Sequence, residues 1–295
     1  MENIGYYNGT FAPIEQLMIP ACDRGVYFGD GVYEALRVER HRFFALPEHL
    51  ARFRASLAFL RIPFAMTDGA LTAILQEAAD RVNSDSQQLY FQVTRGSAMR
   101  THSFPEGTEP NLMIFSRGVP LADLAERRRL IALPDTRWGH CNIKSLNLIP
   151  SVLAAQAAKE RGCSEAVFHQ NGVVTECSSS NLLMLKGGVL RTAPADEKIL
   201  PGVTRAHFLM LAKRLNVPVD ETAFTLEEAF DSDELMVTST SLHGLPVREL
   251  EGRPVCGRDE PLLRKLQRAY REYFHDCLDR EPFRSVNDSG MDSER

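Results

Sequence analysis

The stretch that decides the fold is residues 137–181, RWGHCNIKSLNLIPSVLAAQAAKERGCSEAVFHQNGVVTECSSSN. Lys144 stands at its centre, after a short extended run and beside Ile143 and Leu146, in more apolar company than a solvated lysine keeps. Partial burial frees a lysine amine for Schiff-base chemistry with a carbonyl group. Taken alone, Lys144 reads as an ordinary surface lysine. Further on, Glu176 ends the hairpin strand VVTE and is followed by Cys177, three serines and Asn181. Hydroxyls, backbone N–H groups and one carboxylate thus fall within a few residues, although serine-rich turns are common in loops.

Outward from this stretch, turn signals alternate with strand and helix patterns. Upstream, Asn8-Gly9 marks a hairpin, because both residues tolerate positive φ. Gly25, Gly29 and Gly31 crowd a tight turn before an alternating strand over 32–38, and the spacing is not a dinucleotide fingerprint. Pro47 opens a helix with Leu50, Phe53, Leu57 and Leu60 on one face, a second helix starts near Thr67, and strands follow at 89–95 and 111–117. The loop between those strands, 96–110, is of a length that is usually functional or disordered. It carries Arg100 and His102. Downstream, a helix over 151–161 closes on Gly162, and hairpins turn at Asn171-Gly172 and Gly187-Gly188. Residues 199–205, ILPGVTR, open a helix whose free N–H groups suit a phosphate, as at any helix start. Thr225 and Glu228 form a capping box. The strand ELMVTSTS, a final helix over 260–278 and a polar tail complete the chain. The polar run 121–129 puts a boundary near 118–122. The expected fold class is α+β in two domains, 1–120 and 121–280, with the ligand in the cleft between them and a disordered tail at 281–295.

Composition bounds the function. A chain of 295 residues, 44% hydrophobic and 25% charged, is ordinary for a soluble globular protein. The net charge of −5 with mixed signs leaves no basic stripe, so no nucleic-acid partner is expected. No apolar run approaches the roughly 20 residues that span a bilayer, and MENIGYYNG lacks the pattern of a secretory signal. The six cysteines form no CxxC pair, which supports neither a metal site nor a redox motif. Reduced thiols in a cytoplasmic enzyme are expected.

Read together, Arg-Trp-x-x-Cys-x-Ile-Lys-Ser-Leu-Asn at 137–147 and Thr-Glu-x-Ser-Ser-Ser-Asn at 175–181 resemble the class IV aminotransferases of pyridoxal phosphate fold type IV. Within that class the chain is most similar to the D-amino-acid transaminases, from about Asn8 to about Tyr273. DRGVYFGDGVYE at 23–34, EHLARF at 48–53 and Arg-Thr-His at 100–102 belong to the resemblance. It implies pyridoxal 5′-phosphate as cofactor, held on Lys144, which also moves the proton of the substrate Cα. It implies Glu176 against the pyridine nitrogen, with Ser179 and Ser180 among the cofactor-binding residues. Arg52, Val203, Thr204 and Thr240 would hold the phosphate. Tyr33, Arg100 and His102 would bind the substrate carboxylate. The substrates would be D-amino acids and 2-oxo acids in a ping-pong cycle. The assembly would be a homodimer in which the 96–110 loop reaches into the partner's site.

Cys177 departs from the glycine usual in the family, and a side chain there is expected to alter the loop's dihedrals or crowd the ring face. Other readings share parts of the pattern. A branched-chain L-amino-acid transaminase shares Lys144, Glu176 and the GVTR run but lacks Arg-x-His. An (R)-amine transaminase or an aminodeoxychorismate lyase shares the cofactor without needing the carboxylate trap. A cofactor-binding protein without turnover needs neither Lys144 nor Glu176.

Overall fold

Asn8 and Gly9 both hold positive φ, 42° and 98°. They join β1 (Asn3–Tyr7) to β2 (Thr10–Ala12) in the computed structural model, which describes residues 1–279. The tail expected to be disordered lies outside the described residues. A short helix α1 (Arg24–Phe28), capped by the Asp23 side chain, turns into β3 (Gly31–Glu39) and β4 (Arg42–Phe43). Helices α2 (Leu46–Leu60) and α3 (Asp68–Asp80) follow, then β5 (Ser86–Thr94) and β6 (Asn111–Gly118). These strands form one antiparallel sheet in the order β2-β1-β6-β5-β3-β4. Side chains alternate across it with period two. Leu89, Phe91 and Val93 turn inward, into a core with Leu50, Phe53 and Leu57 of α2 and Leu71 and Leu75 of α3. Ala35, Gln88 and Tyr90 point the other way, into a cleft.

The second sheet is built from β7 (Arg128–Pro134), β8 (Glu165–Gln170), β9 (Val173–Cys177), β10 (Asn181–Lys186), β11 (Val189–Thr192), β12 (Val219–Asp220), β13 (Glu234–Ser239), β14 (His243–Leu250) and β15 (Arg253–Pro254). Its order is β12-β11-β10-β13-β14-β7-β8-β9, with β15 on β14. The pairs β14–β7 and β7–β8 are parallel, and helix α4 (Ile149–Glu160) makes the crossover between β7 and β8. Helices α5 (Val203–Arg214) and α7 (Glu260–Asp279) share a core in which the rings of Phe208 and Tyr270 stack 4.7 Å apart. The short α6 (Leu226–Phe230) carries the capping box of Thr225 and Glu228.

Two residues stitch the sheets together. Phe44, from the first sheet's side, packs into the α5–α7 core, and Ile143, just before the lysine, packs into the core of the first sheet. The structure moves some expected limits. Helix α4 begins at Ile149, two residues early, because Pro150 sits in its first turn, where a missing N–H costs nothing. The extended run before Lys144 is β7, which ends ten residues earlier, so the lysine stands on a loop. Strands β7 and β14 lie where no alternation was read.

Candidate active site

Between the sheets lies a cleft of about 330 Å³. Tyr33, Arg52, Lys144, Glu176, Ser179, Ser180, Val203, Thr204 and Thr240 all line it. Arg100 and His102 do not. They lie on exposed loop next to Phe28, with the Arg100 guanidinium 5.0 Å from that ring and the His102 ring 5.3 Å from it.

The Lys144 loop is held by the first sheet although it belongs, in sequence, with the second. Tyr33 N–H donates to Lys144 O at 2.9 Å, Leu146 N–H donates to Gly31 O at 3.0 Å, and Ser145 bridges to Val32. Lys144 N–H reaches Ser56 Oγ on α2 at 3.3 Å. These bonds leave the side chain half-buried, its Nζ 4.2 Å from the centre of the Tyr33 ring, a position that attracts the cationic amine to the π face. Tyr33 in turn stacks on Tyr90, and Tyr90 on Phe115.

Glu176 is buried at the end of β9. Asn181 Nδ2 donates to it at 2.9 Å, Leu200 N–H lies 3.1 Å from both of its oxygens, and Arg137 Nη1 bonds its Oε1. Burial pushes its carboxyl up to about 7, against the opposing pull of Arg137, Leu200 N–H and Lys144. Arg137 gives it only a share of its charge, since Asp135 takes two more bonds from the same guanidinium, at 2.9 and 2.8 Å.

The serine turn faces a second buried carboxylate that the sequence did not single out. Glu165 accepts from Ser179 N–H at 2.6 Å, from Ser179 Oγ at 2.8 Å and from Ser180 Oγ at 2.8 Å. The two hydroxyls expected to serve a cofactor therefore donate to Glu165, and what they offer the cleft is acceptor capacity. Cys177 ends β9 in extended backbone, which any residue adopts. Its side chain joins the second sheet's core, so no unusual dihedral accompanies the loss of glycine.

Arg52 is equally committed. Its Nε and Nη2 bind the two oxygens of Glu34, each at 2.8 Å, and its Nη1 donates to Pro201 O at 3.0 Å. His49 Nδ1 lies 2.8 Å from Glu34 Oε2. Burial alone would raise the Glu34 carboxyl, but Arg52 and His49 hold it down at about 2. Glu34 and His49 had a sequence signal that went unread. Glu34 alternates with Val32 and Leu36 on the buried face of β3, and a charge on a buried face requires a partner.

Helix α5 starts at Val203 as expected, with Gly202 at its N-cap and no side chain satisfying its first N–H groups. A Cβ on Gly202 would come within 2.0 Å of Asn181 Oδ1, so only glycine lets the chain pass there. On β13, Thr238 Oγ1 is buried in the same lining with no hydrogen-bond partner among the described residues.

The family model for class IV amino-transferases matches residues 31–250, which include all of these cleft residues. The chain belongs to the class IV aminotransferases. This aminotransferase is 35% identical over 277 residues to a D-alanine aminotransferase of Staphylococcus aureus (strain COL), covering 92% of this chain and 98% of that one. It is 37% identical over 271 residues to a D-alanine aminotransferase of Listeria monocytogenes serotype 4b (strain F2365), covering 90% and 94%. Among solved structures, its fold is similar to a branched-chain amino acid aminotransferase from Escherichia coli, with a TM-score of 0.82 and 23% identity over 93% of this chain and 95% of that one. A T.th. branched-chain amino acid aminotransferase complexed with N-(5'-phosphopyridoxyl)-L-glutamate matches with a TM-score of 0.83, at 23% identity over 94% and 95%.

Proposed function

We propose that this aminotransferase moves the amino group of a D-amino acid, of the D-alanine or D-glutamate type, to a 2-oxo acid such as 2-oxoglutarate, with pyridoxal 5′-phosphate as cofactor. The observation that carries the reading is one cleft holding the Lys144 amine, the Glu176 carboxylate and an uncapped helix N-terminus together. The residues present fit the cofactor. The unpartnered Thr238 hydroxyl and the open start of α5 suit a phosphate, with Val203, Thr204, Thr240 and the remaining N–H groups of Arg52 around it. Lys144 is the amine that would hold the cofactor's aldehyde carbon, and Glu176 the carboxylate for its pyridine nitrogen. When bound, the cofactor supplies an electron sink for the carbanion at the substrate Cα.

The chain's own residues do the rest. Lys144 Nζ, steadied over the Tyr33 ring, would take the proton from the substrate Cα and carry it, on the same face, to the cofactor's aldehyde-derived carbon. Glu176, whose carboxyl burial raises to about 7, would accept the hydrogen bond of the pyridine N–H and hold that proton at the ring nitrogen. Glu34 keeps Arg52 aimed along α2 toward the start of α5.

The D-specific part rests on Tyr33, Arg100 and His102 as the carboxylate trap, and the names of the relatives support it. Arg100 and His102 lie outside their own chain's cleft, which favours a homodimer whose loops cross. Exposed Ile149, Val152 and Leu153, neighbours on α4, give a second copy an apolar face to cover. The reading takes 1–120 and 121–280 as the two domains, supported by the change of sheet between Gly118 and Arg128. It places the enzyme in the cytoplasm, supported by six free cysteines.

A panel of D- and L-amino acids with 2-oxoglutarate tests it. D-alanine should be the better donor, and Arg100→Ala should lower its kcat/KM by roughly 30- to several-thousand-fold, with a much smaller effect on an amine lacking a carboxylate. A wild type that prefers L-leucine would make it a branched-chain enzyme.

A further inference from the structure

The loop over 96–110 would, by its length and exposure, be read as mobile. Its contacts describe something else. Arg24 Nη1 donates to Thr101 O at 2.7 Å and reaches Ser103 O at 3.4 Å, the carbonyls on either side of His102. Phe104 lies under Arg95, whose guanidinium carbon is 3.5 Å from the ring centre, with Arg61 4.9 Å from the same centre. Nearer the start of the loop, Arg24 N–H donates to Gly96 O at 2.9 Å, Ala98 N–H donates to Cys22 O at 3.0 Å, and Tyr27 Oη donates to Ala98 O.

The two arginines that grip the loop are themselves fixed by a single carboxylate. Arg24 Nε and Arg95 Nε both reach Asp30 Oδ2 at 2.8 Å, and Arg95 Nη2 reaches Asp30 Oδ1 at 2.9 Å. Arg95 also donates to the carbonyls at the end of α2, from Nη2 to Leu60 O at 2.8 Å and from Nη1 to Arg61 O, just past the helix, at 2.9 Å. Arg24 is 3% and Arg95 5% exposed, so neither has solvent to fall back on if Asp30 is lost. Burial would raise the Asp30 carboxyl, but the two arginines hold it below the usual carboxylate range, in keeping with a permanent anion.

We propose that Asp30, Arg24 and Arg95 are positioning residues that set the 96–110 loop in advance, so that Arg100 and His102 are presented at a fixed place for the substrate carboxylate. Phe28 completes the device from below, packed at once against Arg24, Arg100 and His102. The motif at 23–30 thereby acquires a task that is not cofactor binding. Its arginine and its aspartate shape the arm that carries the trap. Pre-organisation matters because misplacing a binding group by 1 Å costs on the order of 100-fold in rate. The inference rests on the reading of Arg100 and His102 as carboxylate ligands.

The test compares the holoenzymes of the wild type, Arg24→Met and Arg100→Ala. Arg24→Met removes the grip on the carbonyls at 101 and 103 while Asp30 keeps both bonds from Arg95. The expected result is a KM for D-alanine raised by about 10- to 100-fold with kcat nearly unchanged, and faster amide exchange over 100–104. A merely structural role would instead lower kcat and cofactor content together. Wild-type KM and exchange in Arg24→Met, beside a raised KM in Arg100→Ala, overturns the positioning role and leaves the carboxylate reading standing. A wild-type KM in Arg100→Ala overturns the carboxylate reading and the positioning role with it. Should Arg24→Met fail to fold, Phe104→Ala lifts a half-exposed ring off Arg95 without touching a buried charge. It should show the same pair of changes on a smaller scale, and their absence overturns the proposal.

Discussion

Glu34 and Glu176 are both buried carboxylates bonded to an arginine, one on each side of the cleft, yet their charge states diverge. Glu34 is held at about 2 and Glu176 is raised to about 7. The difference is in how the cation is shared. Arg52 gives Glu34 a two-pronged bond, and it bonds no other carboxylate among the described residues. Arg137 is divided between Glu176 and Asp135, so the attraction that reaches Glu176 does not offset the cost of taking it out of water. Burial alone does not decide a carboxylate's charge. The ratio of cations to anions in the pocket does. The first site is a settled ion pair that orients a guanidinium, and the second is poised to gain or lose a proton near neutrality.

The largest expected effect tests the settled pair. Glu34→Gln leaves the Arg52 charge buried without its anion, and should cost about 3–5 kcal/mol in denaturant unfolding together with weaker cofactor retention. A loss within experimental error would mean that solvent reaches Arg52 and the contrast is false.

The pH dependence should separate the two groups next, measured on cofactor-free protein as wild type minus the matching Gln variant. Glu34 has a depressed folded pKa, so its stabilisation is complete above its ordinary value of 4.5 and is lost as pH falls from there toward about 2. Glu176 has a raised folded pKa, so its penalty is complete above about 7 and is relieved as pH falls from about 7 toward 4.5. The Glu34 difference therefore shrinks on acidification and the Glu176 difference grows, each by up to roughly 3 kcal/mol. Slopes of the same sign would break the comparison.

At neutral pH, Glu176→Gln should cost about 1–2 kcal/mol, clearly less than Glu34→Gln, because Arg137 retains Asp135 as its anion. Equal costs in the two variants, read from unfolding midpoints, would count against shared charge as the cause.

The smallest effect sharpens the cause of the Glu176 shift. Cys177 follows Glu176 in the sequence and is buried, with its side chain in the second sheet's core. Cys177→Gly should cost about 1 kcal/mol through lost packing and added backbone freedom. It should also move the Glu176 transition below pH 7 by admitting water, followed as the midpoint of the pH-dependent stability difference. An unmoved midpoint would assign the shift to Arg137 and Asp135 alone.

Much of the framework is legible in the chain because its signals are local. Asn8-Gly9, Asn171-Gly172 and Gly187-Gly188 turn where positive φ is needed, and all six residues hold it. The Thr225 capping box and the start of α5 after Gly202 are set by neighbours in sequence. Lys144 and Glu176 stand in a recognisable stretch, and both reach the cleft. The residues left unread are those whose task depends on distant partners. Glu165 looks like any first residue of a strand until Ser179 and Ser180 fold back onto it, and Asp30 looks like a turn aspartate until Arg24 and Arg95 meet there.

By itself, then, the sequence determines an α+β chain with a lysine in a recognisable stretch, a carboxylate followed by hydroxyls, and a helix start whose free N–H groups suit a phosphate. Periodicity, turn chemistry and capping are properties of neighbours along the chain. Tertiary structure alone decides that Glu34 is a fixed anion and Glu176 a poised acid, that the serine hydroxyls are already spent on Glu165, and that Arg100 and His102 stand outside their own chain's cleft. The physical reason is that charge state, donor supply and placement depend on desolvation and on how many partners converge on one group. Packing brings those partners from far apart in the sequence.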